Sequence, residues 1–156
     1  MIRQTQNRMR LCLCLLAVNL LFIWGNSLLP GSVSGALSGW IHDLISMIFP
    51  GGSQTEGHGL LRKLAHFTEF CALGALFGWL FAMLAKKQWT FVIPSGICGC
   101  LAACVDETIQ CFVPDRGPSI MDVAIDFTGV ILGIGLLCLG YTIYKKNKTL
   151  TGGNEK

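Results

Sequence analysis

Charge is what this sequence has least of. Of its 156 residues, 13% are Asp, Glu, Lys or Arg and 52% are apolar, whereas soluble domains carry about 25% charged residues. A soluble globule this small needs a polar exterior, and 12 basic with 9 acidic side chains cannot supply one. The shortage excludes an ordinary soluble enzyme and a disordered chain. A basic stripe is missing too. The net charge is +3, and the basic residues fall in short clusters between apolar runs, so no nucleic acid is expected as a partner. No C-x-x-C pair occurs among the eight cysteines, which excludes a zinc knuckle. Cys12/Cys14 and Cys98/Cys100 are two apart, about 200° around a helix, so neither pair holds one ion. Cys111 stands nearest the outer surface without an outer-loop partner. The other seven lie in apolar runs as small packers, and no disulfide is expected.

What the chain does have is long apolar runs and a mean hydropathy of +0.56. A bilayer core takes roughly 20 apolar residues per helix. Four runs meet that requirement: residues 11–29, 64–85, 89–113 with Pro94 as an expected kink, and 120–144. The first follows Arg3, Arg8 and Arg10 in the manner of a secretory signal. Residues 26–30 lack a small-x-small cleavage pattern, so this run reads as a retained span. Residues 33–49 carry apolar side chains at 33, 37, 40, 41, 44 and 48, with Ser34, Ser38 and His42 opposite. That stripe is too short and too polar to span, and it reads as an interfacial helix. The expected fold is an all-α membrane protein with four transmembrane helices plus a short interfacial helix in the first outer loop. One domain covers 1–150, and 151–156 is a disordered polar tail.

Charge placement orients the bundle. With both termini inside, the cytoplasmic side holds Arg3, Arg8, Arg10, Lys86, Lys87, Lys145, Lys146, Lys148 and Lys156, against Arg62, Lys63 and Arg116 outside. That asymmetry satisfies the positive-inside rule.

Five acids fall inside the predicted helices: Glu69, Asp106, Glu107, Asp122 and Asp126. An acid at mid-bilayer costs about 2.5–3.5 kcal/mol, so these must face inward, pair, protonate or lie near an edge. The topology puts all five near the outer edge, level with Lys63, His66, Gln110 and Arg116. His66 and Glu69 are three apart on one helix face. Gly96, Gly99, Ala103, Asp106 and Gln110 follow one seam. Asp122, Asp126, Gly129, Gly133 and Gly140 follow another. Small residues mark close helix contact in membranes, so the acids point into the bundle. Interhelical glue is the plain alternative to a pocket, but membrane hydrogen bonds contribute only about 0.6 kcal/mol on average, and nine such groups at one depth exceed what glue requires. For His66 with Glu69 as metal ligands, only one histidine is well placed. Neither a metal nor any other cofactor is expected.

The strings RKLAHFTEF (62–70), LG (73–74), DETIQCFVPDRGPSIMDV (106–123) and DFTGVILG (126–133), with NSLLPG (26–31), resemble the VanZ-like family across residues 10–144. The resemblance implies a multi-pass protein of the bacterial cytoplasmic membrane. The family takes its name from a member that lowers susceptibility to the glycopeptide teicoplanin. The family pattern falls on His66, Glu69, Asp106, Glu107, Gln110, Pro114, Arg116 and Asp122. Asp115 stands where glycine is common. Asp126 stands where asparagine is common, which argues against a necessary charge there.

Two functions remain open. In the first, the outer-leaflet pocket engages a cell-wall precursor or lipid head group, with Lys63, Gln110, Arg116, Asp122 and Asp126 as ligand-binding residues. The Arg116 guanidinium would grip a phosphate or carboxylate bidentately. In the second, His66, Glu69, Asp106 and Glu107 are catalytic candidates of an intramembrane acid/base hydrolase or transferase acting on an envelope lipid. A proton or cation path is disfavoured, because the cytoplasmic half of every span lacks ionisable residues and leaves no exit.

Overall fold

The computed structural model describes residues 2–36, 39–40, 57–85, 89–117 and 119–152. Four long helices dominate: α1 (Ile2–Ser27), α2 (Gly57–Leu84), α3 (Val92–Gln110) and α4 (Ile120–Gly152). No strand occurs among the described residues. Each helix contains a stretch long and apolar enough to cross a membrane: Arg3–Ser27, Leu61–Leu84, Val92–Gln110 and Ile120–Asn147. The all-α, four-span architecture is the one the hydropathy pattern predicts. Helices α1 and α4 outrun their apolar cores, α1 taking in Arg3, Arg8 and Arg10 and α4 continuing through Lys145 and Lys146. A helix satisfies its own backbone and has no reason to stop at the edge of the hydrocarbon.

Residues 31–36 and 39–40 are helical. This short segment starts two residues earlier than the apolar stripe suggests, because the Pro30 carbonyl accepts hydrogen bonds from the backbone N–H of Val33 and Ser34, each at 3.0 Å. The remainder of the expected interfacial helix, at 37–38 and 41–49, lies outside the described residues. Of the expected polar tail, 151 and 152 continue α4, and 153–156 lie outside the described residues.

Pro94 does not kink a span. Helix α3 starts at Val92, not at 89, which places Pro94 in the first turn. A first-turn proline gives up only an N–H that has no intrahelical partner.

The closest packing is between α2 and α4. A Cβ at Gly133 would strike the Cys71 carbonyl oxygen and come within 2.8 Å of the Ala75 nitrogen. One at Gly129 would lie 2.5 Å from the Phe67 carbonyl oxygen, and one at Gly74 would collide with the Val130 backbone. The two backbones touch at Gly74, Gly129 and Gly133, so van der Waals contact holds the pair in the absence of a hydrophobic drive. The core around this seam comprises Phe70, Leu73, Ala103, Val130 and Ile134, and α1 adds Leu16 and Ile23. Leu21, Ile93, Leu101 and Leu136 face outward, as a lipid-facing surface requires. Two glycines depart from their predicted stripes, since a Cβ at Gly96 or Gly140 meets nothing within 4 Å. A strict seven-residue repeat drifts about 20° per heptad on a straight helix, and Gly96 and Gly140 are the outermost members of their seams.

Antiparallel packing brings the end of α1, the first half of α2, the end of α3 and the start of α4 to one end of the bundle. At the other end Trp89 packs against Phe91, with ring centroids 6.1 Å apart, and edge-on against Tyr141 at 6.3 Å.

Candidate functional site

Asp106, fully buried near the end of α3, organises the polar end. One carboxylate oxygen, Oδ1, accepts a hydrogen bond from Ser27 Oγ at 2.6 Å, and Oδ2 accepts one from Gln110 Nε2 at 2.8 Å. Gln110 sits one helical turn after Asp106, so its amide folds back along the same face. His66 on α2 brings Nδ1 to 3.7 Å from Asp106 Oδ2 and to 3.9 Å from Asp126 Oδ1 on α4. Groups from four helices therefore gather around Asp106 and His66. Asp126 is 1% exposed, and neither of its oxygens has a hydrogen-bond partner among the described residues.

Glu69, one turn beyond His66, accepts a hydrogen bond on Oε1 from Asn26 Nδ2 at 3.2 Å. Shared depth and phase predict Glu69 beside Arg116 or Lys63. Its hydrogen bond goes to α1 instead, although Glu69 and Arg116 line the same cleft. The same depth and phase predict Asp106 near Asp122 or Asp126, and Asp106 and Asp126 both lie within 4 Å of His66 Nδ1. Lys63 reaches Asp122 at the exposed rim, with Nζ 4.0 Å from Oδ1. An exposed pair of that length contributes little.

Glu107 takes a partly structural part. Its Oε2 accepts the Ser119 backbone N–H at 2.8 Å. Ser119 in turn caps α4, its Oγ accepting the Asp122 N–H at 3.2 Å. Asp122 in the first turn of α4 complements the positive end of the helix.

Arg116 is aimed by the turn after α3. The Val113 carbonyl accepts the Arg116 N–H at 3.3 Å. Pro114 is the second residue of this turn and Asp115, with φ of 61°, the third. Proline followed by a positive φ is the type II pattern, in which the third place favours glycine. An L-residue held in the left-handed region costs about 1–2 kcal/mol, less for aspartate. Asp115→Gly is therefore expected to keep or raise Tm, whereas Asp115→Val should lower Tm. Thermal unfolding in detergent checks both, and a stabilising valine would contradict the strain.

The guanidinium is, with Asp126, among the unsatisfied groups of this end. Nε and Nη1 of Arg116 are buried and have no hydrogen-bond partner among the described residues. Burial, with the nearby Arg62 guanidinium, pushes its pKa down from the ordinary arginine value, while Asp106 and Glu107 pull the other way. An arginine stays charged at neutral pH regardless, so the site holds a partly desolvated cation. It lines a cleft of about 530 Å³ shared with Asn26, Arg62, His66 and Glu69. Phe22 of α1 borders this cleft and also an apolar groove of about 480 Å³ that runs along α1 and α2 past Val18, Leu15, Ala72 and Leu76.

Asn26, Ser27 and Arg62 lie within the family strings but are not among the candidate site residues of the sequence. The signal was a polar pair closing an apolar run at the depth of the acids. Without helix contacts, Asn26-Ser27 has no more claim to a site than to the edge of the span.

A four-helix membrane bundle with a buried polar centre at one end and a cation-lined cleft beside it defines the class. Within it, the sequence profile of the VanZ/LLP1 family matches residues 10–141, and the chain belongs to that family. No curated protein and no solved structure matches the chain.

Proposed function

We propose that the protein binds an amphiphile with a phosphate-bearing head group, a membrane lipid or a lipid-linked cell-wall precursor, at the outer leaflet of the bacterial cytoplasmic membrane. The observation that carries this reading is the half-buried Arg116, whose Nε and Nη1 are buried without hydrogen-bond partners among the described residues and which lines the cleft that Arg62 also lines. A planar fork with free N–H groups suits a phosphate bidentately. Phe22, shared by cleft and groove, lets one ligand place its head at Arg116 and its chain along α1 and α2. Glu69 and Asn26, which line the same cleft, suit hydroxyl or amine groups of the head.

The test is binding of a short-chain polyprenyl phosphate and of phosphatidylglycerol to the purified protein, read by native mass spectrometry. Arg116→Gln should weaken retention at least tenfold, and Arg116→Lys should not restore it. Equal retention by Arg116→Gln would sink the reading. In cells, the same variants at matched protein level should alter teicoplanin susceptibility if the ligand is a wall precursor. The approach of His66 Nδ1 to Asp106 at 3.7 Å favours a second reading, acid/base turnover of that lipid. Release of inorganic phosphate on incubation separates the enzyme from the binder.

Sidedness is part of the proposal. Gly117 is exposed and has open space around it. Gly117→Cys should react with an impermeant thiol reagent from outside the cell, and Asn147→Cys should not, in a background lacking Cys111. Reversed labelling would place the cleft on the cytoplasmic side.

A further inference from the structure

We propose that His66, Asp106 and Asp126 form a binding site for one divalent transition-metal ion, completed by water. Each residue offers one ligand atom, and the three atoms lie within 4.8 Å of one another. They come from three different helices, α2, α3 and α4, so an ion there ties the bundle together at its polar end. The sequence considered His66 with Glu69. The structure turns Glu69 to Asn26 at 3.2 Å and puts Asp126 in its place.

The independent sign of a ligand is Asp126. Its side chain is 2% exposed, its two oxygens have no hydrogen-bond partner among the described residues, and His66 Nδ1 stands 3.9 Å away, beyond hydrogen-bond reach. A buried carboxyl group without partners needs a cation or a proton. Asp106 is prepared as a ligand rather than merely buried. Ser27 donates to one oxygen at 2.6 Å and Gln110 to the other at 2.8 Å, the outer support that orients metal-binding carboxylates. A carboxylate keeps further lone pairs after those two bonds.

The spacing also suits an ion. Ligands 2.1 Å from a tetrahedral centre lie about 3.4 Å apart, and the two His66–carboxylate distances of 3.7 and 3.9 Å need to close by only a few tenths of an ångström. Beside the triad lies a cavity of about 10 Å³ lined by His66, Asp126, Glu107 and Asp122, with Arg62 and Lys63 at the same cavity. That is room for a single water and too little for an organic ligand. Glu107 Oε1, also without a hydrogen-bond partner among the described residues, lines it and can accept from such a water. One imidazole with two carboxylates favours manganese or zinc over magnesium and calcium, which prefer all-oxygen shells.

Manganese is the better probe, because all eight cysteines are free thiols and thiolates favour zinc. The full-length protein, purified in detergent and stripped with chelator, is titrated with Mn²⁺ alone by calorimetry and by loss of the free-ion electron paramagnetic resonance signal. We expect saturable uptake of one ion per chain, weakened at least tenfold by Asp126→Asn and by His66→Gln, and a Tm that rises with Mn²⁺ in the parent only. Thermal unfolding without metal shows whether each variant is folded. Failure of saturable binding in the parent, or unchanged affinity in both folded variants, would overturn the site. The site stands apart from the lipid reading: Arg116→Gln should lose the phosphate lipid and keep the ion.

Discussion

Gly133→Val is expected to abolish the folded monomer, the largest effect of any single change in the bundle. A Cβ there collides with the Cys71 carbonyl oxygen and comes 2.8 Å from the Ala75 nitrogen. Both are backbone atoms of α2, so no rotamer change relieves the contact, and valine adds two further methyl groups. Overpacking costs about 1–3 kcal/mol when side chains can shift, and here whole helices must separate. Separation would also pull His66 on α2 from Asp126 on α4, so the polar centre should open together with the seam. The control is Gly140→Val, seven residues along the same helix, where an added Cβ meets nothing within 4 Å. It should change stability by no more than about 0.5 kcal/mol. Size-exclusion profiles and Tm in detergent distinguish them. A monodisperse, stable Gly133→Val protein would contradict the close α2–α4 packing.

The second large effect belongs to Ser27. Ser27 and Asp106 are both 0% exposed, and their 2.6 Å hydrogen bond is the shortest tie between α1 and α3 among the described residues. Ser27→Ala leaves Asp106 Oδ1 unpartnered in the core, which costs about 1–3 kcal/mol, well above the average membrane hydrogen bond of about 0.6 kcal/mol. Asp106→Leu is worse alone, because it removes the acceptor of both the Ser27 hydroxyl and the Gln110 amide and leaves them only their mutual 3.4 Å bond from Gln110 Nε2 to Ser27 Oγ. Combined with Ser27→Ala it should lose less than the sum of the two, since one stranded group is gone. Reversible unfolding of the four proteins in mixed micelles gives the coupling directly. Strict additivity would mean that the two residues do not act as a unit. The same cycle bears on the cleft, because Ser27 follows Asn26, and loosening α1 shifts the wall that carries Phe22.

These two cases mark where sequence reasoning succeeds and where it stops. Gly129, Gly133 and Asp126 could be placed on one face of α4 from spacing alone, because a helix repeats every 3.6 residues and the membrane demands that acids turn inward. The same reasoning carried Gly96 and Gly140 one heptad too far, since periodicity says nothing about where two straight helices diverge. Pro94 was read as a kink because the apolar run starts at Trp89. The helix starts at Val92, and hydropathy does not mark a helical first turn.

Composition and order along the chain were sufficient for the broadest facts: too little charge for water, four runs long enough for lipid, and the acids of the spans grouped at one depth. Each is a one-dimensional constraint imposed by the bilayer, which requires backbone satisfaction and inward acids whatever the partners are. Which polar group meets which is a three-dimensional matter. That Glu69 turns to Asn26, that Ser27 reaches Asp106 from α1, and that His66 stands between Asp106 and Asp126 depend on helix rotation and crossing. Those are set by where glycines let backbones touch, and by the turn that aims Arg116. Only the tertiary structure decides them, because side chains at equal depth on different helices have no sequence relation that distinguishes contact from mere proximity.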